Sequence, residues 1–489
     1  PYTLGVMALA AMFGLFVGAI PGLTATMATA LLIPFTFFMD PVPAIAAIVA
    51  TVATAIFAGD IPGALLRIPG TPASAAYCDE AYAMTKKGLA ERALGIALVT
   101  SVIGGLAGSI VLSLSAPALA EFAIQFSSFE YFWLACLGLS CAVIISTGST
   151  IKGFVSLLIG LFIATIGIDG TAGHPRFTFG NIELMGGVSF IPAMIGMFAI
   201  SEVLRYVAST RTVIEVPQQS VGSIFSGLGP ILLRYKFNIV RGSSIGAVVG
   251  ILPGAGADIA AWICYAISKK RSREPEKFGT GHPEGLVDAG SANNASLAGA
   301  WVPAIVFGIP GDSITAIVIG VLYMKGMNPG PMVFIQSPEL IYAVFIAFFI
   351  ANLALLPLGF AAIRLSRQIL KIPRRVLMPL ILMFCMVGAF AINNTVFGIT
   401  VMLVLGIVAY LMEENGFPVA PAILGIVLGG MVEDNFMASM IKADGSMLGF
   451  FSRPIAATLG VITIMLWLTP ILVAGWKQYR RMRSPTVET

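Results

Sequence analysis

The sequence predicts an all-α, polytopic membrane protein with about 10 to 12 transmembrane helices, arranged in two inverted repeats with broken or re-entrant helix hairpins. Three observations lead to this prediction. The 489 residues are 57% hydrophobic and only 11% charged, whereas about a quarter of a soluble domain is charged. Apolar runs of roughly 20 residues, the length that crosses a bilayer, recur along the chain. The chain also contains 53 glycines and 29 prolines, many of them inside those runs.

The longest nearly uncharged runs are the predicted spans. They cover residues 44–59, 93–120, 154–168, 340–361, 395–412 and 456–475. A broken backbone within the hydrocarbon is tolerated only where protein or a water-filled cavity surrounds it. Glycine and proline inside these runs therefore indicate a transporter or a channel rather than a passive anchor. The lipid bilayer is the first expected partner.

Cysteine and histidine usage argues against metal chemistry. The five cysteines are scattered without ligand spacing, and the chain has only two histidines. We interpret the cysteines as buried, unreactive thiols and expect neither a metal site nor a cofactor. No secretion signal is visible at the start, and Pro1 without a preceding methionine suggests a trimmed chain whose true N-terminus is missing.

Basic clusters give the expected orientation. Lys and Arg gather at 86–92, 205–211, 269–277, 364–375 and 477–483. Such clusters beside membrane spans mark the cytoplasmic side. We interpret them as ordinary solvated loops and expect no nucleic-acid partner. Basic residues at 234–241 and 269–277 flank one apolar segment at both ends, which complicates the count of spans there.

Three motifs recur in order in the two halves of the chain. GAIPG at 18–22 matches GILPG at 250–254, RIPGTPASA at 67–75 matches GIPGDSITA at 308–316, and IPAMIG at 191–196 weakly matches APAILG at 420–425. The offsets predict a first repeat over 1–215, a linker over 216–240 and a second repeat over 241–489. The span at 93–112 starts beside a basic cluster, and its counterpart at 340–362 ends beside one. We therefore expect the repeats to be inverted.

The recurring motifs break their own helices. Proline removes an amide donor and clashes with the preceding turn, while glycine permits unusual backbone angles. A helix broken at mid-membrane exposes amides that can hold a carboxylate and carbonyls that can hold Na⁺. Simple kinks or close helix contacts are the alternative. The breaks recur in register, however, and hydroxyl side chains follow them, which favours a binding site.

We expect the solute to bind at these breaks and at an adjacent pair of amides. The predicted substrate contacts are Thr24, Thr26, Pro69, Gly70, Thr71, Ser74, Gly254, Asn293, Asn294, Pro310, Gly311 and Ser313. Two adjacent amides in an apolar run are costly unless they bond to something. Asn293 and Asn294 therefore serve either a ligand or a contact between helices.

Three carboxylates lie in or beside the motifs. Asp60, Asp258 and Asp312 are candidates for carrying a coupling H⁺ or Na⁺, because intramembrane carboxylates are functional candidates by default. Asp312 follows Pro310-Gly311 and suits a helix N-cap equally well. Arg67 is expected to reach toward the membrane interface rather than to pair with the solute.

The ordered motifs resemble those of the large membrane subunit of the tripartite tricarboxylate transporter family. The matching runs are GAIPGL at 18–23, ALLIP at 30–34, DP at 40–41, IPGTPAS at 68–74, LPGAGAD at 252–258, NNA at 293–295, GIPG at 308–311, NPGP at 328–331, GFP at 416–418 and FSRP at 451–454. The likeness covers nearly the whole chain. That family commonly has a small or hydroxyl residue where Asp60 and Asp312 stand, and the two extra carboxylates indicate either proton coupling or a substrate less negatively charged than citrate.

The resemblance implies a TctA-like permease that takes up a di- or tricarboxylate or a related organic acid across the bacterial inner membrane by secondary, ion-gradient-driven transport. It also implies a small membrane subunit of about four spans and a periplasmic solute-binding protein as partners. The sequence lacks a Walker-type phosphate-binding motif, in keeping with a gradient rather than ATP as the energy source.

A channel and an intramembrane enzyme are the competing classes. A channel would show a sustained pore-lining ring, and saturable, gradient-dependent uptake would exclude it. An enzyme would need a nucleophile–base set or a metal cluster such as His-Glu-x-x-His, and the sequence has neither. The sequence therefore predicts a transporter and not an enzyme.

Overall fold

The chain is almost entirely helical wherever its structure is described. The computed structural model describes residues 1–145, 149–170, 173–208, 224–225, 227–253, 256–370 and 374–483. Within these ranges the strands are limited to one antiparallel pair, β1 (Gly167–Ile168) and β2 (Pro175–Arg176). The predicted all-α, polytopic class is confirmed.

The described helices of the first half precede residue 209. They are α1 (Tyr2–Gly18), α2 (Ala25–Phe37), α3 (Pro41–Ala58), α4 (Asp60–Leu66), α5 (Ala75–Lys86), α6 (Ala90–Ala123), α7 (Ser128–Ile145), α8 (Thr150–Ala164), α9 (Phe190–Ile195) and α10 (Ser201–Ala208). A π-helical turn over Gly196–Ile200 joins α9 to α10. A 3₁₀ turn covers Ile182–Leu184.

The second half begins with a short helix and ends with a long one. Its described helices are α11 (Leu228–Arg234), α12 (Lys236–Ile251), α13 (Gly256–Arg271), α14 (Pro283–Phe307), α15 (Ser313–Met324), α16 (Val333–Gln336), α17 (Pro338–Leu370), α18 (Arg374–Asn393), α19 (Val396–Glu414), α20 (Val419–Lys442) and α21 (Pro454–Arg483). Two 3₁₀ turns cover Pro275–Lys277 and Met447–Phe451.

Helix length and hydropathy make the chain an integral, multi-pass membrane protein. Six helical segments of the described residues are long and apolar enough to cross a membrane: Pro41–Leu66, Ala90–Ala123, Phe190–Ala208, Pro338–Ser366, Val396–Glu414 and Val419–Lys442. Shorter apolar helices, including α1, α2, α7, α8 and α15, lie among them. Broken or re-entrant hairpins consist of helices that are too short to span a membrane singly.

Both Gly/Pro motifs interrupt helices, as predicted. α1 ends at Gly18 and α2 begins at Ala25, and Gly22 between them has a φ of 87°. α12 ends at Ile251 and α13 begins at Gly256, whose φ is 52°. Glycine adopts such positive φ values without the steric cost that a side chain adds. Gly254 of the second motif lies outside the described residues.

The second interruption explains the two basic clusters that flank one apolar segment. Asn238 at the start of α12 donates to Oε1 of Glu284 at 2.9 Å, and Ser272 just after α13 donates to Oε2 of the same carboxylate at 2.6 Å. Both ends of the α12–α13 pair therefore lie together. The segment therefore doubles back on itself, with both basic clusters at the same end of the pair.

The helices of the two halves pack in corresponding pairs. α1 packs on α3 as α12 packs on α14. Across the halves, α6 packs against α14 as α17 packs against α3, and α8 packs against α20 as α19 packs against α9 and α10. Two intertwined repeats would produce these pairs. The repeat boundaries, the linker and the inverted orientation stay predictions.

On the predicted cytoplasmic side, Glu80 of α5 fastens the connection between α13 and α14. Its carboxylate is fully buried. It accepts hydrogen bonds from the backbone N–H groups of Gly279, Gly281 and His282 and from the hydroxyl of Tyr265. The bonds from Gly281, His282 and Tyr265 measure 2.7, 2.8 and 2.9 Å. We call this contact the Glu80 latch.

Lys325, just after α15, makes the corresponding contact on the predicted outer side. Its Nζ donates to the backbone carbonyls of Phe37 at 2.8 Å and Met39 at 2.5 Å, where α2 ends. We call this contact the Lys325 latch. Each latch fastens the short helix after a turn motif in one half to the interrupted helix pair of the other half, α5 to α13 and α15 to α2.

Replacing Glu80 by glutamine tests the first latch. Glutamine keeps one acceptor oxygen but turns an NH₂ group toward backbone N–H donors, so charge-assisted hydrogen bonds are lost. We expect the free energy of unfolding to fall by about 2–4 kcal/mol, measured from denaturant unfolding in detergent micelles. Asp79→Asn removes the neighbouring carboxylate, which forms an exposed pair with Arg67, and is the matched control with little effect. Equal effects of both substitutions would contradict the latch.

Candidate functional site

In the first half, the turn after α4 returns to the junction of α3 and α4. Gly70 donates its backbone N–H to the carbonyl of Gly59 at 3.1 Å, and a Cβ placed on Gly70 would lie only 2.3 Å from the Cα of Gly59. Beside this contact, a Cβ on Gly18 would lie 3.0 Å from the Cβ of Ala58. The end of α1, the α3–α4 junction and the turn therefore meet at van der Waals distance through small residues.

The second half builds the same arrangement. A Cβ on Gly250 would lie 3.1 Å from the Cα of Gly299, and a Cβ on Gly311 would lie 2.8 Å from the Cα of Ala300. Each position follows its counterpart in the first half by 232 or 241 residues, the offsets at which the motifs recur. Both motif pairs therefore serve first to bring an interrupted helix, a long helix and a turn together.

Hydroxyl and carboxylate side chains cap these turns. The Thr71 N–H donates to Ser74 Oγ at 3.1 Å, and the Ser74 N–H donates to Thr71 Oγ1 at 3.0 Å. Asp312 and Thr315 form the same reciprocal pair, at 2.8 Å in both directions, as a capping box at the start of α15. The N-cap alternative for Asp312 is therefore what the structure shows.

The remaining motif residues lie around these turns in different environments. Thr24 is the N-cap of α2 and accepts the N–H of Met27 at 3.2 Å. Thr26 and Ser313 are half-buried, Pro69 is exposed, and Pro310 is buried. Gly254 and the side chain of Asp258 lie outside the described residues. A solute contact of any of these residues stays a prediction.

The second interruption and the second turn touch each other. A Cβ on Gly256 would lie 2.6 Å from the Cβ of Asp312. A Cβ on Gly138, in the middle of α7, would lie 3.0 Å from Cγ2 of Ile309 and 3.4 Å from the Cβ of Pro253. Asp312 and its turn are therefore placed between the start of α13 and the middle of α7.

A buried hydrogen-bond chain joins the two halves beside the first turn. The hydroxyl of Tyr77 donates to Asp60 Oδ1 at 2.8 Å, and Nδ2 of Asn293 donates to the Tyr77 oxygen at 2.9 Å. All three side chains are at most 4% exposed. Oδ2 of Asp60 and Oδ1 of Asn293 are buried without a hydrogen-bond partner among the described residues. We call these three residues the Asp60 relay.

Asn294 is the most incompletely bonded side chain of this region. It is 1% exposed, and neither Oδ1 nor Nδ2 has a hydrogen-bond partner within the described structure. Leaving buried donors and acceptors unpaired costs about 1–3 kcal/mol each. α14, which carries the amide pair, is buried between α6 and α12 and reaches the second turn at its end. A bound molecule or ion would relieve that cost.

A cavity of about 10 Å³, room for one water molecule, adjoins the Asp60 relay. Asp60, Ser74 and Tyr77 are among its lining residues. Arg67 takes no part in the relay or its cavity, because its side chain is exposed and pairs with Asp79 at 2.7 Å.

Outside the membrane segments, a hydrogen bond from Lys277 holds the pKa of Glu274 below its usual range. The residues described include no group of three or more His, Cys, Asp or Glu side chains placed to hold a metal.

Sequence reasoning missed Tyr77 and an ion pair between Glu130 and Arg453. Nη1 of Arg453 lies 2.9 Å from Oε2 of the fully buried Glu130, which ties the segment before α21 to the start of α7. Arg453 belongs to the FSRP run, so the motif itself was the available signal. Tyr77 carried no local signal, because its partners lie 17 and 216 positions away.

Comparison with known proteins gives one family and two relatives. The family model described as the tripartite tricarboxylate transporter TctA family matches residues 4–424. An uncharacterized 52.8 kDa protein in the TAR-I ttuC' 3' region of Agrobacterium vitis is 33% identical over 462 residues, 94% of this chain and 92% of that protein. An uncharacterized protein in the TAR-II ttuC' 3' region of the same organism is 35% identical over 228 residues, 46% of this chain and 94% of that protein. No solved structure gives a significant match.

Substituting alanine for Gly70 tests the close approach of the first turn. The added Cβ would overlap the backbone of Gly59, so the turn must shift. We expect the free energy of unfolding to fall by about 1–3 kcal/mol, measured by denaturant unfolding in detergent. Gly430→Ala, at an exposed position of α20 with open space around it, is the control and is expected to be neutral or stabilising. Tolerance of Gly70→Ala would show that the turn does not need this contact.

Two substitutions at Asp312 separate its capping role from its charge. Asparagine keeps an oxygen that can accept the Thr315 N–H, whereas alanine does not. We expect Asp312→Ala to lower the free energy of unfolding by about 1 kcal/mol and Asp312→Asn to change it by only a few tenths. The midpoint of thermal unfolding in detergent reports both. Equal losses for the two variants would mean that the charge, not the cap, stabilises this turn.

Proposed function

Because the chain belongs to the tripartite tricarboxylate transporter TctA family, we propose that it is the large permease subunit of a binding-protein-dependent transporter for a small organic acid. The substrate is a di- or tricarboxylate or a related acid, taken up across the bacterial inner membrane. Transport is secondary and is driven by a gradient of H⁺ or Na⁺. The chain moves its substrate without chemical change and acts as no enzyme.

The observation that carries this proposal is the unsatisfied amide pair in α14. Asn294 has both of its side-chain polar atoms buried and unpaired, and Asn293 has one. Amide N–H donors can bind a carboxylate without the cost of a permanently buried cation. The turn residues Thr71 and Ser74, and beyond α14 Pro310 and Gly311, complete the proposed substrate site. Thr24, Thr26, Pro69, Gly254 and Ser313 are proposed to take part in it as well.

Partners and coupling complete the proposal. A small membrane subunit and a periplasmic solute-binding protein would work with this chain, in keeping with the tripartite system that its family implies. Asp60, Asp258 and Asp312 are the candidates for carrying the coupling cation. Two intertwined, inverted repeats would provide alternating access. The corresponding helix pairs and the two latches support that arrangement.

Uptake by proteoliposomes tests the function. The chain would be reconstituted with the small membrane subunit and supplied with the binding protein and radiolabelled citrate or succinate. We expect saturable uptake that requires an imposed H⁺ or Na⁺ gradient. Uptake that needs ATP, or a linear flux without saturation, would contradict a secondary transporter.

Asn294→Ala tests the site within the same assay. Losing a hydrogen bond to a carboxylate is expected to lower the uptake efficiency about 10- to 100-fold. Stability in detergent should not fall, because an unpaired buried amide is removed. Asn415→Ala, at the exposed end of α19, is the matched control with unchanged uptake. Unchanged uptake by Asn294→Ala would remove this residue from the site.

A further inference from the structure

We propose that the Asp60 relay is a proton-operated switch that changes the hydrogen-bonding atom which Asn293 presents to the solute. The inference rests on the proposed function and deepens it, because it selects H⁺ as the coupling ion. Tyr77 acts in it as a positioning residue. It contacts Asp60 and Asn293 and belongs to none of the recurring motif pairs.

The direction of the hydrogen bonds in the relay is fixed by Tyr77. A tyrosine hydroxyl has one hydrogen to donate, and here it donates to Asp60 Oδ1. The Tyr77 oxygen can then only accept, so Asn293 must turn its Nδ2 toward Tyr77. Oδ1 of Asn293 consequently points away from the relay, and it is buried without a partner in the described structure. An ionised Asp60, which can only accept, gives this arrangement.

A proton on Oδ1 of Asp60, the oxygen that faces Tyr77, reverses that direction. The carboxyl O–H then donates to the Tyr77 oxygen, and the Tyr77 hydrogen must leave Asp60 for another acceptor. Asn293 is the other hydrogen-bond partner of Tyr77 in the described structure. Its amide accepts the hydrogen after a half-turn that brings Oδ1 to Tyr77. Nδ2 of Asn293 then occupies the position that Oδ1 of Asn293 held before. A hydrogen-bond donor therefore replaces an acceptor at the position that faces the proposed solute.

The reversal links the proton to the charge of the solute. An amide oxygen repels a carboxylate, whereas an amide N–H donates a charge-assisted hydrogen bond to it. Protonated Asp60 therefore favours bound solute, and bound solute favours protonated Asp60, as thermodynamic reciprocity requires. The proton and the acid are carried together, and both leave when Asp60 ionises again.

The surroundings of Asp60 contain few other groups that could set its charge. α3, α5, α6 and α17 pack against α4. α3 has no charged residue, and the titratable groups that face Asp60 from α5 are Tyr77 and Cys78. No ion pair with Asp60 occurs in the described part of the chain. Among the described side chains, the charges of α6 and α17 lie toward the helix ends, at Glu91, Arg92, Glu121, Glu339 and Arg364.

Two substitutions set the relay in defined states. Tyr77→Phe keeps the ring but removes the hydroxyl, so the orientation of the Asn293 amide no longer depends on the protonation of Asp60. Asp60→Asn removes the group that titrates, so the relay no longer changes its hydrogen-bond direction with pH. Tyr82→Phe, on the same helix and half-buried, is the matched control.

The experiment measures the KM for solute uptake and the accompanying proton movement in proteoliposomes from pH 5 to 8. For the unsubstituted chain and for Tyr82→Phe, we expect KM to fall about 10- to 100-fold as the pH falls through the titration of Asp60. For Tyr77→Phe we expect a KM independent of pH. For Asp60→Asn we expect a KM that is independent of pH and no accompanying proton movement.

The outcomes separate this inference from the proposed function. Uptake that is driven by Na⁺, with KM independent of pH, would overturn the switch and leave the transporter intact. A Tyr77→Phe variant with the pH dependence of the unsubstituted chain would also overturn it. If Tyr77→Phe fails to fold, Asp60→Asn decides alone, and a pH-dependent KM in that variant refutes the switch. Absence of organic-acid uptake by the unsubstituted chain would overturn both proposals.

Discussion

The contact between Gly59 and Gly70 is the constraint on which the first half of the site depends. With no side chain on either residue, the turn after α4 can return to the helix from which it came. That return sets where α5 starts, and the position of α5 in turn brings Tyr77 to Asp60 and Glu80 to the α13–α14 connection. Ala300 and Gly311 make the corresponding approach in the second half. Small residues thus determine where the polar groups lie. In the lipid bilayer, close packing rather than the hydrophobic effect drives the association of helices.

Buried polar groups fall into two kinds in this protein. Glu80 has hydrogen-bond partners on both oxygens, and Asp288 is held by Arg241 and Asn238. Such groups join one element to another and have no capacity left for a ligand. Asn294 and the outer atoms of the Asp60 relay are equally buried but lack partners in the described structure. Under the proposed function, the unpaired atoms of Asn294 and of the Asp60 relay are the ones that would bind the solute and the coupling ion.

The all-α class and the helix breaks could be predicted from the sequence, and Asn293 and Asp60 could be recognised as polar residues within apolar segments. Hydropathy and Gly/Pro interruptions are local properties, and the repetition of motifs is visible in one dimension. The roles of Thr71, Ser74 and Asp312 as caps could not be separated from ligand roles, because both uses require the same side chains after the same turns. The Asp60 relay could not be predicted, since its members lie on three helices, α4, α5 and α14, and meet only after these pack. The structure explains the basic residues at both ends of the α12–α13 pair, because the pair doubles back on itself and its two ends lie together.

The partnership of α5 with the second half has a consequence for how the chain is made. Synthesis proceeds from the N-terminus, so the helix carrying Glu80 is complete some 200 residues before the amides that bind its carboxylate. During that interval the Glu80 carboxylate must stay hydrated or be sheltered by other proteins, because an unpaired charge is not stable in hydrocarbon. α5 therefore reaches its final position only after the α13–α14 connection has been synthesised, late in biogenesis. A chain that ended between the two halves would lack the backbone amides that α5 needs to complete its folding.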